Sequence, residues 1–193
     1  MAERGNQMTE PTGPKLAIKT PAETTSFSRG FYQVEEDTLY VPLFPGGRFF
    51  SYLDSPQVSL QTDRKGRLVF IQILAPRRNW TVADNMVPPS GLESADIRFL
   101  DFRDKLDATD IEVNPAGDTV RIVFASVKDI QTYRITDNLL FDVTPDERLA
   151  AIWIFHVEDD RAAEKMAAWR KEIAGQVEEE TPREKHRRIE VSK

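Results

Sequence analysis

The 193-residue chain contains no cysteine. That excludes disulfides, thiolate nucleophiles, iron–sulfur clusters and every zinc site that needs sulfur. Histidine is almost as scarce: His156 and His186 are the whole supply, and His186 sits in a charged C-terminal stretch. A metal site built on imidazole is therefore not expected, although an all-carboxylate magnesium or calcium site stays open. No window approaches ~18 consecutive apolar residues, so no membrane-spanning helix and no membrane partner are expected. The opening Met1-Ala2-Glu3-Arg4-Gly5 lacks a basic start followed by an apolar run. No secretory signal is expected, and the cytoplasm is the default compartment. Excess positive charge is missing too, since the formal net charge is -6. Non-specific nucleic-acid binding neutralises phosphates, which an acidic chain does poorly unless a basic patch is segregated. A nucleic-acid partner is accordingly not expected.

What is present is a core. Hydrophobic residues make up 40% of the chain and charged residues 30%, enough for one medium domain or two small ones. Residues 1–14 are polar, carry Pro11, Gly13 and Pro14, and read as a disordered lead-in. From Lys15 to Phe155 short β-branched and aromatic runs alternate with turn residues. Strands are expected at 15–19, 37–44, 48–53, 57–62, 67–74, 97–102, 110–114, 119–125, 129–134, 138–143 and 148–155. Pro45-Gly46-Gly47 and Asp63-Arg64-Lys65-Gly66 are strong turn signals, and Thr144-Pro145-Asp146-Glu147 is a weaker one.

Displacing the chain by 81 residues aligns Asp37-Thr38-Leu39 with Asp118-Thr119-Val120, Tyr52 with Tyr133, and Arg67–Ile73 with Arg148–Ile154, without a gap. Identities are few, and two β-meanders can look alike by chance. The turns and the apolar phase coincide as well, which favours a tandem duplication of 15–74 and 97–155 joined by a linker at 75–96. Across residues 16–74 six basic residues balance six acidic ones, whereas residues 97–155 carry seven and eleven. Strands 67–74 and 148–155 are apolar on both faces and so need cover on both. Ala162, Met166, Trp169 and Ile173 then form one helical stripe. A helix is expected over about 159–175, within a segment 156–177, capped by Asp159 or Asp160 and stopped at Gly175. Residues 178–193 read as a charged, mobile tail. The expected fold is mostly β (α+β): two duplicated antiparallel meander units about a pseudo-twofold axis, plus one C-terminal amphipathic helix.

Tyr32-Gln33-Val34-Glu35-Glu36-Asp37-Thr38-Leu39-Tyr40 and Asp63-Arg64-Lys65-Gly66-Arg67-Leu68-Val69-Phe70-Ile71-Gln72-Ile73-Leu74 resemble the opening and the ending of a short bacterial family, domain of unknown function 2283. Phe70 and Gln72 depart from its Gly and Glu. The second copy keeps Asp118, Arg148, Leu149, Ile152 and Ile154, but has Glu147 for the turn glycine and Arg121 for the tyrosine. The resemblance implies a small β domain with no established enzymatic activity. Its members' association with ribonuclease-like toxins implies an antitoxin or regulatory role.

Chemistry-bearing residues are sparse. His156 with Glu158, Asp159 or Asp160 is a possible catalytic group, but a histidine at a strand end beside a helix cap is the plainer reading. Asp101, Asp104, Asp107 and Asp110 are spaced by three, but the apolar residues between them do not match a calcium loop. No catalytic residue, metal ligand or cofactor is assigned. The best candidate for partner binding is Arg77-Arg78-Asn79-Trp80, where guanidinium and indole could meet a phosphate, a base or an acidic partner. The plainer alternative buries Trp80 under the linker and leaves Arg77 and Arg78 in water. The function expected is a non-catalytic interaction or regulatory module, with a protein partner or self-association. The alternatives are an antitoxin-like binder of a toxin or nucleic acid, and a carboxylate-metal or hydrolytic enzyme.

Overall fold

The computed structural model describes residues 13–180. Among them the strands are β1 (Leu16–Lys19), β2 (Phe27–Ser28), β3 (Phe31–Gln33), β4 (Thr38–Phe44), β5 (Ser51–Asp54), β6 (Val58–Thr62), β7 (Leu68–Ile73), β8 (Thr81–Val82), β9 (Asp96–Phe99), β10 (Asp104–Lys105), β11 (Asp110–Val113), β12 (Val120–Val123), β13 (Gln131–Thr136), β14 (Leu139–Val143), β15 (Leu149–Ile154) and β16 (Glu158–Asp160). The helix α1 (Glu164–Glu180) follows them. The first sheet runs β10-β5-β6-β7-β4-β3-β16, with β2 beside β4; the second runs β13-β14-β15-β12-β11-β8. β1 and β9 form a separate antiparallel pair. The described residues are thus mostly β and largely antiparallel, with one helix on the C-terminal side, as the patterning predicts.

Period-2 alternation gives each sheet one apolar face. Leu39, Ile73 and Val58 align across β4, β7 and β6, with Val41, Ile71 and Leu60 beside them. In the second sheet Val120, Ile154 and Leu139 align, with Ile122, Ile152 and Phe141. All twelve side chains are buried and belong to one continuous core with Leu16, Ile97 and Phe99. Each of these pairings in the first sheet has its counterpart 81 residues later. The slip after Gln61 likewise recurs after Asp142. The outer strand does not keep step: Tyr52 lies opposite Gln61, but Tyr133 lies opposite Phe141.

The turns explain why the registers agree. Asp63 accepts from the amides of Lys65 and Arg67 at 2.8 and 3.0 Å, and Gly66 supplies a φ of 76°. Thr144 takes the Asp63 position, its hydroxyl accepting the Arg148 amide at 3.0 Å, while Glu147 adopts the left-handed φ of 59° without glycine's freedom. The sheets are also cross-linked. After β7 the chain lays β8 parallel to β11 of the second sheet, and after β15 it lays β16 parallel to β3 of the first.

Several expectations need correction. Residues 158–160 form β16, so the helix begins at Glu164 rather than at about 159. It also runs through Gly175 to Glu180 instead of stopping there. Backbone pairing with β3 claims the segment that looks like a helix start. The 75–96 linker contains a 3-10 turn at Arg77–Asn79 and then β8, because an open sheet edge offers those residues hydrogen bonds. Gly13 and Pro14 are buried, and the Pro14 carbonyl accepts the Leu149 amide at 3.0 Å, an ordinary ladder distance. The remaining lead-in, 1–12, and the tail at 181–193 lie outside the described residues. Finally, β15 is buried throughout, whereas Leu68, Phe70 and Gln72 on the outward side of β7 are only half-buried.

Candidate functional site

Arg77, Arg78 and Trp80 leave β7 at its crossover toward the second sheet, and they do not form one surface patch. Trp80 is only 6% exposed and belongs to the main core. Its indole N–H donates to the Ala75 carbonyl at 2.8 Å, and its ring meets Tyr32 edge-on with centroids 5.8 Å apart. The Arg77 guanidinium lies 3.6 Å from the centre of the Tyr32 ring and 2.7 Å from an Asp159 oxygen. Arg78 is the exposed member, reaching Asp37 at 3.2 Å. Asp37 also accepts from the Tyr32 hydroxyl and from the Arg77 amide. The Tyr32 hydrogen bond, aided by that amide and both guanidiniums, holds the Asp37 carboxyl below its ordinary range. Burial, with the neighbouring Asp37, pushes the Tyr32 phenol up to about 12. The cluster thus welds the crossover to the first sheet.

His156 is exposed, with a left-handed φ of 55°. It lines a cleft of about 400 Å³ with Leu92, Asp118, Arg134, Asp137 and Phe155. Neither Asp159 nor Asp160 lines that cleft: Asp159 pairs with Arg77, while Asp160 holds the start of α1. Asp101 accepts the Lys15 amide at 3.0 Å, and Asp104 and Asp110 lie on strands of different sheets. Among the described residues no three acidic or histidine side chains come together as a metal site.

The outward face of the first sheet carries a feature that the sequence reading did not single out. α1 covers only part of it, setting Met166, Trp169 and Ile173 against Phe27, Phe31 and Phe44. The β5-β6-β7 portion is left partly open, its outward side chains half-buried apart from the exposed Tyr52. Tyr52, Gln61, Phe70 and Pro42 form one cross-strand row, and Tyr40, Gln72 and Ser59 form the next. Tyr40 and Phe70 touch with ring centroids 5.7 Å apart. At the β5 end Phe50 meets Phe102 edge-on at 6.0 Å, and Arg64 sits 5.3 Å from the Phe50 ring centre. Phe49 is 56% exposed and Tyr52 42%; Leu100 and Phe102 are exposed as well. The adjacent pair Phe49-Phe50, one turn after Pro45-Gly46-Gly47, was the available signal. Phe50 and Tyr52 alternate with the inward Ser51 and Leu53, which places two aromatics on the solvent side.

The matching face of the second sheet is closed instead. Asp142 is buried there, accepting from the Trp153 indole at 2.9 Å and the Thr132 hydroxyl at 2.6 Å, with Arg121 at 3.4 Å. The two outward faces therefore differ in kind, one sealed by a polar network and one lined by exposed aromatics. No protein-family model matches the chain, and no curated protein matches it significantly.

Proposed function

We propose that this protein is a non-catalytic interaction module whose working surface is the open face of its first sheet. The observation that carries the reading is the concentration of exposed aromatic side chains there. Contiguous exposed apolar surface marks an interaction site more often than chance solvent exposure does. Aromatic and arginine side chains are also the residues that dominate binding energies. The two β units descend in this reading from one duplicated ancestor packed about a pseudo-twofold axis. Support comes from the recurrence of pairings at the 81-residue offset and from the mutual exchange of β8 and β16. The Asp63–Leu74 segment supports kinship with domain of unknown function 2283. One unit would then have kept an open face, while the other closed its own around Asp142.

Affinity capture from native extract tests the reading, comparing the intact protein with a Tyr52→Ala/Phe102→Ala variant. The expected result is a species retained by the first, lost by the second, and kept by Arg78→Ala. Identical retention by the intact protein and the aromatic variant would remove the face from consideration.

A further inference from the structure

We infer that the open face of the first sheet binds single-stranded nucleic acid. The inference rests on the reading of that face as a binding surface and names its ligand. Three features converge. The first is a stacking platform: Tyr40 and Phe70 touch, Tyr52 lies two strands from Phe70 across Gln61, and Phe50 and Phe102 extend the set at the β5 end beside the exposed Phe49. Every base has a π-face, so such a platform takes successive bases without needing a particular sequence.

The second feature is charge. Arg48, Arg64, Lys65 and Arg103 are exposed around those rings. The chain itself brings them together. Phe50 donates its amide to Thr62 at 2.8 Å, beside the turn that carries Arg64 and Lys65. Arg103 directly follows Phe102, whose ring meets Phe50 edge-on. Gly47 lies so close to Asp63 that an added Cβ would stand 2.3 Å from its carboxylate, which fixes the Arg48 loop against the same turn. Among the described residues none of the four cations forms an ion pair. Of the acids nearby, Asp63 is buried and held by Arg67, Asp54 accepts from the Ser59 hydroxyl, Asp101 accepts the Lys15 amide, and Asp107 is exposed. Asp104 is exposed and adjoins Lys105. A segregated basic rim is what an acidic chain needs to attract a polyanion.

The third feature separates nucleic acid from an anionic membrane. Gln61, Gln72 and Ser59 interleave with the aromatics. Carboxamides and hydroxyls both donate and accept, as base edges require. A membrane-inserting face would have to desolvate them without return. Duplex is disfavoured because its bases are already stacked on one another and offer no free faces.

The test is fluorescence anisotropy with labelled oligouridylate and oligothymidylate of about 12 nucleotides, titrated with the full chain at about 50 mM salt. Binding to at least one is expected, and the two arms distinguish RNA from DNA. Affinity should fall with salt, with a log–log slope no steeper than about -3, from roughly 0.7 counterions released at each of four cations. Tyr52→Ala should weaken binding about tenfold, the usual cost of losing one stacking partner. Arg64→Glu/Arg103→Glu should abolish measurable binding, whereas Arg78→Glu, outside the face, should bind as before. Circular dichroism of each variant confirms an intact fold, and because these side chains are exposed, folding is expected. Absence of binding by both oligonucleotides, or binding that survives the double charge reversal, overturns the inference. So does association with phosphatidylserine vesicles in place of either oligonucleotide. In that last case, or where capture still depends on Tyr52 and Phe102, the binding surface stands and only its ligand is wrong.

Discussion

Asp160 offers a direct probe of how the helix is tied to the sheet. It is fully buried at the end of β16, four residues before α1. Its carboxylate accepts from the Lys165 amide at 2.9 Å, the Met166 amide at 3.1 Å and the Gln33 carboxamide at 2.7 Å. Gln33 in turn accepts the Ala163 amide at 3.1 Å. Burial acts to raise the Asp160 pKa. The two helix amides, Gln33 and the Lys165 charge outweigh it and hold the carboxyl below its ordinary range. Replacement by alanine strands three donors, of which the Gln33 carboxamide is buried. Losing the cap costs about 1 kcal/mol, and leaving the Gln33 amide unsatisfied costs about 1–3 kcal/mol more. A loss of roughly 3 kcal/mol is therefore expected for Asp160→Ala at neutral pH. Asp160→Asn should lose less, because one oxygen still accepts while the new N–H₂ meets a donor. Because the folded pKa is depressed, the carboxylate's contribution is fully present above the unfolded pKa of about 3.9 and is lost as pH falls through the folded value. Urea unfolding followed by circular dichroism should thus show a gap between the native protein and Asp160→Asn at pH 7 that closes in strong acid. Comparing the two variants cancels the other carboxylates, Asp37 and Asp63 among them. A gap that persists unchanged at low pH, or no gap at pH 7, would refute the assignment of charge-assisted capping to Asp160.

Four further outcomes rest on the packing. Trp169→Ala empties the small cluster formed with Phe31 and Ile173, and should cost about 3–5 kcal/mol in urea unfolding and release the α1 amides to hydrogen exchange. Gly66→Ala places a Cβ 2.2 Å from the Phe99 carbonyl at a φ of 76° and should destabilise by more than about 1 kcal/mol, whereas Glu147→Gly should stabilise by up to about 1 kcal/mol by relieving a left-handed glutamate; thermal melts measure both. Asp37→Asn removes a hydrogen-bonded charge from Tyr32, and ultraviolet titration should show one tyrosine pKa moving from about 12 toward 10.0.

The long strands were legible because their apolar residues alternate over four to seven positions and end at turns with recognisable chemistry. β6, β7, β14 and β15 fall where alternation and turns place them. The stripe Met166, Trp169 and Ile173 was legible for the same reason at helical period, and it is the face that α1 buries. Strands of two or three residues were not. β8 and β16 have no pattern of their own long enough to detect, and they are strands only because β11 and β3 present open edges to them. The same dependence misled the reading of Asp159-Asp160 as the immediate start of a helix. Asp160 does satisfy helix amides, but from inside a sheet edge.

Composition by itself excluded cysteine chemistry, and periodicity by itself determined a β-rich chain with one amphipathic helix, because neither depends on contacts between distant segments. Which side chains would be free for a partner was decided by tertiary contacts. The plainer sequence reading buried Trp80, as the core does, but left Arg77 in water, whereas Tyr32 and Asp159, 45 and 82 residues from Arg77, draw the arginine into the fold. Phe50 and Phe102 looked like ordinary strand residues, yet the pairing of β10 with β5 sets them side by side in solvent. A local pattern records how a residue prefers to sit. Whether its surface is already occupied depends on segments distant in the chain, which only the packed structure brings to it.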